Sequence, residues 1–178
     1  MNSALFLDRD GVINIDYGHV CKKENFDFID GIFELVNNAN SQGYLVIVIT
    51  NQAGIAKGLY SENDFNVLTK WISEQFLLKN GKIKKTYFCP YHIDGIIEKY
   101  KKDSLDRKPS PGMINKALKE FNIDPKKSLL VGDKRSDIQA GISSNIGKSI
   151  YFGTDPCNLA YRSVSRLSDI KEELIFFK

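Results

Sequence analysis

Short apolar runs that stop at polar residues recur along this chain, and they constrain its fold more than any other feature. Ala4 to Leu7 and the β-branched run Tyr44 to Ile49 have the length and composition of buried strands. Further strand candidates are Lys85 to Cys89, Ser128 to Val131 and Ser149 to Phe152. Helical patterns separate these runs. This alternation predicts parallel strands, because parallel neighbours need crossover connections.

The helical segments complete the predicted architecture. They are Gly31 to Ser41, Ser61 to Lys79 with Ser61 as N-cap, Pro111 to Phe121 with Ser110 as N-cap, Asp137 to Ser144, and Ser168 to Phe176. We expect an α/β fold, a doubly wound parallel sheet covered by helices on both faces. Ligands of such sheets sit beyond the carboxyl ends of the strands, where Asp8, Thr50 and Asp133 should meet.

Length and loop spacing predict one domain, residues 1–178, since domains most often have about 100–200 residues. Segment 11–29 is long for a strand–helix connection and should form a small hairpin or flap. Segment 90–109 is also long, and loops beyond ~12–15 residues usually have a function or are disordered. The apolar residues 174–177 are expected to pack in the core.

Composition limits the partners and the compartment. The formal charge of +3 is small and the lysines are mixed with acidic residues, so neither a nucleic acid nor a membrane is an expected partner. Three widely spaced cysteines, Cys21, Cys89 and Cys157, indicate reduced thiols and a cytoplasmic protein. No apolar stretch approaches ~18 residues. With no surplus amphipathic helix, a monomer is expected.

The residues after the predicted strands can support phosphoryl transfer, which needs a nucleophile, a proton donor and positive charge. Asp8 can attack phosphorus as a carboxylate, and Asp10 can protonate the departing oxygen and later activate water. Lys108 would add a fixed charge, and Thr50 can bind the transferring group. Asp8 and Asp133, with a carbonyl and waters, can form a magnesium site.

Each of these residues has an ordinary interpretation when taken alone. Aspartates that follow strands are commonly turn or cap residues, and a single lysine is most often solvated. Four polar clusters in fixed order, each at a strand end or helix start, favour a catalytic site instead.

These clusters resemble the four motifs of the haloacid dehalogenase superfamily of aspartate-dependent phosphatases. The matching segments are 8–14, 50–52, 107–109 and 132–137. The longer strings 50–58 and 107–113 resemble the D-glycero-D-manno-heptose 1,7-bisphosphate 7-phosphatases and the related histidinol-phosphate phosphatases. The resemblance implies a Rossmann-like fold and a small phosphorylated sugar as substrate.

The resemblance also implies roles for individual residues. Asp8 would be the nucleophile and Asp10 the acid and base, with Thr50 and Lys108 steadying the phosphoryl group. Magnesium would be bound by Asp8, Asp133 and the carbonyl of Asp10. The positions that contact substrate in the family correspond to Asp16, Tyr17, Gly18, His19, Asn51, Gln52, Ala53, Arg107 and Lys134.

One family feature differs in this chain. Many relatives bind a structural zinc ahead of the third motif through Cys-x-His and Cys-x-Cys, and these positions are here Cys89, Tyr91, Ser104 and Asp106. Tetrahedral structural zinc takes four Cys or His ligands, so Cys89 with His92 would be a poor substitute. We therefore expect segment 90–109 to fold without zinc.

The motif spacing predicts a capless enzyme, because the two intervals where relatives insert a cap domain are too short for one. Selectivity would then come from the loops 15–19 and 90–109. Arg107 could grip a second anionic group, which suits a bisphosphate.

Four functions remain open at this stage. The first is removal of the 7-phosphate of the heptose bisphosphate on the route to surface-polysaccharide heptose, with its anomer preference undetermined. The second is histidinol-phosphate hydrolysis. Polynucleotide 3′-phosphatases share related strings, but duplex binding normally needs a clustered basic face. A non-catalytic binding domain is the fourth, since a fold alone does not establish activity.

Overall fold

The computed structural model describes residues 1–177, with side chains described as far as Leu174. Six strands form one sheet in the order β3-β2-β1-β4-β5-β6, and each neighbouring pair is parallel. The strands are β1 (Ala4–Leu7), β2 (Leu45–Asn51), β3 (Ile83–Cys89), β4 (Leu129–Gly132), β5 (Lys148–Phe152) and β6 (Arg162–Val164). The predicted α/β class and all five predicted strands are confirmed.

The helices connect these strands. They are α1 (Ile32–Ser41), α2 (Ala53–Ala56), α3 (Glu62–Leu78), α4 (Gly112–Glu120) and α5 (Arg135–Ser143). Short 3₁₀ helices cover Lys23–Asn25, Glu98–Tyr100 and Pro125–Lys127, and a longer one covers Leu167–Phe177. The predicted C-terminal helix is therefore a 3₁₀ helix.

Alternating side chains of the central strand divide the core into two layers. Leu5 and Leu7 pack with α1, α3 and the C-terminal 3₁₀ helix, whereas Ala4 and Phe6 pack with α4 and α5 on the opposite face. Both layers are apolar, as expected for a parallel sheet covered by helices. Leu174 is buried, whereas the side chains of residues 175–177 and all of residue 178 lie outside the described part, so their predicted core role is untested.

The predicted N-cap is present in α3 and absent in α4. Ser61 forms the predicted cap of α3, in a reciprocal capping box with Asp64. The prediction that Ser110 caps α4 was wrong, because Pro111 occupies the N-cap position. The amide of Ser110 instead donates to the carbonyl of Arg107 in a tight turn, and the helix begins at Gly112, one residue later than predicted.

Segment 11–29, called the flap below, forms the small bridged structure that its length predicts. The amide of Ile15 donates to the carbonyl of Asp27 at 2.9 Å, within an antiparallel bridge that pairs Asn14 with Phe28. Phe26 and Phe28 both contact Trp71 of α3, with ring centroids 5.7 Å apart in each pair. The flap is therefore anchored to the helical layer.

The intervals where relatives insert a cap contain short elements in residues 1–177. The flap and α1 lie between β1 and β2, and α2, α3, β3 and segment 90–109 lie between β2 and α4. The capless prediction is confirmed for this part of the chain. In the same part, none of the helices has both the length and the apolarity needed to cross a bilayer.

Candidate active site

The carboxyl ends of β1, β2 and β4 meet at one edge of the sheet, where a cavity of ≈ 570 Å³ opens. Asp8 follows β1, Thr50 lies near the end of β2, and Asp133 follows β4. The first two line this cavity, and Asp133 belongs to a carboxylate cluster with Asp8 and Asp137, which both line it. The predicted meeting point is thus present in the structure.

Lys108 is the central cation of this site. Its Nζ lies 2.8 Å from Oδ1 of Asp8 and 2.7 Å from Oδ1 of Asp137, and it donates to the carbonyl of Ile49 at 2.9 Å. Asn51 holds the backbone of Lys108 from both sides, accepting from its amide and donating to its carbonyl, each at 3.0 Å. Lys108 is therefore a fixed, buried charge.

Burial dominates the electrostatics of the site. The pKa of Asp8 is raised to about 7, because burial together with the carboxylates of Asp137 and Asp133 outweighs the opposing effect of Lys108. Burial likewise raises the pKa of Asp133 to about 6, against the opposing charge of Lys134. Burial works against the charged form of Lys108, but Asp8 and Asp137 outweigh it and raise the pKa. Three carboxylates thus crowd around one buried ammonium.

The carboxylate cluster has the chemistry of a site for a hard divalent cation. Carboxylate oxygens of Asp8, Asp133 and Asp137 lie within 4.8 Å of one another. Oδ1 of Asp133 is buried without a hydrogen-bond partner. A Cβ on Gly11 would lie 2.2 Å from Oδ2 of Asp133, so only glycine leaves room for this carboxylate. These oxygens fit the ligand preference of Mg²⁺.

Asp10 is held by five hydrogen bonds from three side chains, one of them from Nε of Arg9 to Oδ1 at 3.2 Å. Nη2 of Arg9 donates to Oδ1 at 2.7 Å and to Oδ2 at 2.8 Å. Asn14 Nδ2 donates to Oδ1 at 3.1 Å, and Gln52 Nε2 donates to Oδ2 at 3.0 Å. The carboxylate therefore has a defined orientation at the cavity wall.

Most of the predicted substrate positions line the cavity, as do Asp8, Asp10, Thr50 and Lys108. These substrate positions are Asp16, Gly18, His19, Asn51, Gln52, Ala53, Arg107 and Lys134. Nζ of Lys134 donates to Oδ2 of Asp16 at 3.0 Å, which joins the flap to the loop after β4. Arg107 donates to the carbonyl of Tyr91 at 3.5 Å.

One predicted contact residue lies apart from the cavity, and two of those that line it bind protein atoms through their side chains. Tyr17 is not among the cavity-lining residues, and its hydroxyl donates to Asp27 on the flap at 2.8 Å. Both amide groups of Asn51 and Gln52 bind protein atoms, with Asn51 on the Lys108 backbone and Gln52 between Asp10 and Tyr60. Their side chains therefore organise the site.

Segment 90–109 is ordered by polar contacts around the positions that bind zinc in relatives. The thiol of Cys89 donates to the carbonyl of Tyr91 at 3.9 Å, and burial raises its pKa, which disfavours the thiolate that zinc requires. Asp106 pairs with Lys116 at 2.5 Å. Nδ1 of His92 accepts from the amide of Asp94 at 3.1 Å. These residues do not fit a tetrahedral zinc site.

Sequence reasoning missed several residues of the site. Asp137 pairs with Lys108, and its place in the fourth motif, in the first turn of α5, was an available signal. Ser136 and Tyr60 also line the cavity. Nothing in local spacing distinguishes Tyr60 from an ordinary buried tyrosine.

The parallel sheet and this edge site together define a class of protein. The site has an aspartate at the end of the first strand, a buried lysine and a cluster of carboxylates. These are the groups that a hydrolase with an aspartate nucleophile requires.

Comparisons with known proteins agree with this class. Residues 92–150 match the family model described as haloacid dehalogenase-like hydrolase. The D-glycero-alpha-D-manno-heptose-1,7-bisphosphate 7-phosphatase of Burkholderia mallei is 53% identical over 149 residues, which are 84% of this chain and 79% of that protein. The D-glycero-beta-D-manno-heptose-1,7-bisphosphate 7-phosphatase of Haemophilus influenzae is 43% identical over 154 residues, which are 86% of this chain and 83% of that protein.

Solved structures share the whole fold. A protein from Mesorhizobium loti described as a putative HAD-like phosphatase superposes with a TM-score of 0.90 at 30% identity, covering 99% of this chain and 87% of that one. The D,D-heptose 1,7-bisphosphate phosphatase from B. bronchiseptica, complexed with magnesium and phosphate, gives a TM-score of 0.81 at 22% identity. The match covers 97% of this chain and 98% of that one. The chain belongs to the haloacid dehalogenase-like hydrolases, within the family of heptose bisphosphate phosphatases, and is a phosphatase.

Proposed function

We propose that this chain removes the 7-phosphate of D-glycero-D-manno-heptose 1,7-bisphosphate, on the route to surface-polysaccharide heptose. One observation carries the proposal. Asp8 and its partner Lys108 lie at a cavity that Arg107 and Lys134 also line, so positive groups are available for two phosphates. The names of the relatives support the choice of sugar.

In the first step, a carboxylate oxygen of Asp8 attacks phosphorus and the bond to the sugar oxygen breaks. Lys108 and the amide of Arg9 both engage Oδ1 of Asp8, so we assign the attack to Oδ2. Asp10 gives its proton to the departing sugar oxygen. Thr50 and Lys108 line the cavity beside Asp8, where they can stabilise charge on the transferring group.

In the second step, water hydrolyses the aspartyl phosphate. Asp10, now a carboxylate, takes a proton from this water as its oxygen attacks phosphorus. The bond between Asp8 and phosphorus breaks, inorganic phosphate leaves, and both aspartates return to their initial states.

We propose Mg²⁺ as the cofactor. Asp8, Asp133 and the carbonyl of Asp10 would bind it, with Asp137 adjacent. When bound, Mg²⁺ would offset the repulsion between substrate phosphate and the carboxylates. The unpartnered Oδ1 of Asp133 and the space left by Gly11 support this assignment.

We propose that the preferred substrate is the α anomer of the heptose bisphosphate. The relative named for the α anomer is 53% identical, whereas the first relative named for the β anomer is 43% identical. Histidinol phosphate remains the second candidate, and polynucleotide 3′-phosphate and a non-catalytic role remain weaker ones. We further propose that residues 1–178 act as one cytoplasmic, monomeric phosphatase domain.

Phosphate release from a substrate panel tests this function. The panel contains both anomers of the heptose bisphosphate, histidinol phosphate and a 3′-phosphorylated duplex, each with and without Mg²⁺. We expect the highest kcat/KM for the α bisphosphate and no release without Mg²⁺. A higher value for histidinol phosphate or the duplex would overturn the proposed substrate, and no release from any substrate would overturn the proposed enzyme.

A further inference from the structure

Tyr60 lies beside the site without a role in the reaction described above. It follows α2 and is buried in a small cluster with Phe65 and Tyr100. Its ring lies directly against α2, since a Cβ on Gly54 would come within 2.2 Å of its Cε1 atom. The ring therefore has a fixed position, and its hydroxyl group points to one acceptor.

That acceptor is Gln52, whose amide is fully used inside the protein. The hydroxyl of Tyr60 donates to Oε1 of Gln52 at 2.5 Å. Nε2 of Gln52 donates to Oδ2 of Asp10 at 3.0 Å and to Oγ1 of Thr50 at 2.8 Å. If the amide turned by half a rotation, Oε1 would face the carboxylate of Asp10 and repel it. The acceptor-only carboxylate of Asp10 selects the attractive orientation, and the Tyr60 hydroxyl holds Gln52 in it by donating to Oε1.

The other contacts to Asp10 all come from its own loop. Arg9 donates to it from the preceding position, and Asn14 donates to it from the start of the flap. Gln52 is the side chain that reaches Asp10 from the end of β2. It also contacts Thr50, so one amide couples the orientation of the acid to the strand that carries a phosphate-binding residue.

We propose that Tyr60 is a positioning residue that acts through Gln52 to hold Asp10 where it can protonate the leaving oxygen. This inference rests on the proposed function in one respect, namely that Asp10 is the acid. As the bond between Asp8 and phosphorus forms, the bond from phosphorus to the sugar oxygen breaks, and the proton of Asp10 passes to that oxygen.

Leaving-group dependence separates this role from a structural one. A sugar alkoxide is a poor leaving group that needs the proton, whereas 4-nitrophenolate leaves readily without it. Tyr60→Phe removes only the hydroxyl. We expect about a tenfold loss of kcat/KM on the heptose bisphosphate and less than about a twofold loss on 4-nitrophenyl phosphate, since general acid catalysis serves mainly the former.

Tyr100→Phe is the matched control, because Tyr100 belongs to the same cluster but its hydroxyl donates to Glu62. It should leave both substrates unaffected. Gln52→Met is the second variant, and it should reproduce the selective loss. Adding Tyr60→Phe to Gln52→Met should cause no further change in the ratio of the two kcat/KM values, because the two residues act in series.

The outcomes are distinct. Selective loss on the sugar substrate, absent from the control, supports the inference. Equal losses on both substrates, or no loss in Tyr60→Phe, overturn it while leaving the proposed function intact. If the unaltered protein hydrolyses neither substrate, the proposed function fails and the inference fails with it.

Discussion

The ammonium group of Lys108 lies 2.8 Å from Oδ1 of Asp8, which ties the loop of the third motif to the end of the first strand. Because the same ammonium lies 2.7 Å from Asp137, one buried cation faces two buried carboxylates. Asp133 adds a third carboxylate to the cluster. The site therefore holds an excess of negative charge, which favours binding of a further cation.

The nucleophile can be tested without disturbing the fold. Asp8→Asn should reduce kcat by about a thousandfold or more, since no carboxylate remains to attack phosphorus. The unfolding midpoint should change by less than about 3 °C, because the neutral amide avoids the cost of a buried charge. Asp94→Asn, in the exposed part of segment 90–109, is the control and should retain full activity. Substantial turnover by Asp8→Asn would disprove the mechanism.

Gly11→Ala should weaken the metal site. The added Cβ would lie 2.2 Å from Oδ2 of Asp133, and the residue has a φ of +93°. The concentration of Mg²⁺ needed for half-maximal activity should rise. Gly43→Ala has a similar φ of +85° with nothing within 4 Å, so it should lose only about 1–2 kcal/mol of stability and no Mg²⁺ affinity. Equal Mg²⁺ dependence in the two variants would contradict the assignment.

The contacts of Glu173 in the C-terminal 3₁₀ helix should make the stability of the protein depend on pH. Burial opposes the charged form of Glu173, but hydrogen bonds from Lys148 and Arg162 outweigh it and hold the pKa below its ordinary value of 4.5. A lowered pKa contributes stability above pH 4.5, and this contribution is lost as the pH falls through the folded-state pKa. Glu173→Gln should therefore cost about 2 kcal/mol at pH 7 and progressively less below pH 4.5.

Urea unfolding at several pH values measures this difference. Glu172→Gln, at the neighbouring exposed position, is the control and should cost little at any pH. A Glu173→Gln penalty that stayed constant as the pH fell would show that the charge of Glu173 is not its source.

Arg107 should recognise the second phosphate. Arg107→Lys loses the planar, two-pronged donor geometry, so KM for the bisphosphate should rise about tenfold. KM for heptose 7-phosphate, which lacks the second phosphate, should change little. Arg135→Lys is a suitable comparison, since Arg135 is exposed, lies outside the cavity lining and donates to Asn158. A similar rise in KM for both substrates would argue against this role.

Segment 90–109 should keep its structure without zinc. Elemental analysis of protein produced in zinc-supplemented medium should find far less than one zinc per chain, and chelation should not shift the unfolding midpoint. Cys89→Ala and Cys157→Ala both shorten buried side chains, and each should cost about 1 kcal/mol. Stoichiometric zinc, or a much larger penalty for Cys89→Ala, would reverse this conclusion.

The central strands could be predicted because each contains a short, continuous apolar run. Besides three short 3₁₀ helices, one strand and one α-helix were missed for a physical reason. Strand β6 (Arg162–Val164) has three residues with little apolar character and depends on pairing with β5. Helix α2 (Ala53–Ala56) is a single turn that follows the site residues and has no side-chain cap. Such elements form through tertiary contacts, which local patterns do not encode.

In the site, too, some features could be predicted from the sequence and others could not. Asp8, Thr50 and Asp133 could be located because topology brings the ends of their strands together. The roles of Asn51 and Gln52 could not, since they depend on where each amide group points. Asn51 binds the backbone of a residue far along the chain, and Gln52 links Asp10 to Tyr60. The spacing of a motif fixes neither orientation.

The contacts of Phe26 and Phe28 with Trp71 have a kinetic consequence. These contacts hold the flap against α3, so the entrance to the cavity has its shape before substrate binds. Discrimination between substrates then depends on complementarity to a preformed entrance, and phosphate can leave the cavity by diffusion. Residues 1–177 contain no cap domain whose opening and closing would gate substrate entry or product release.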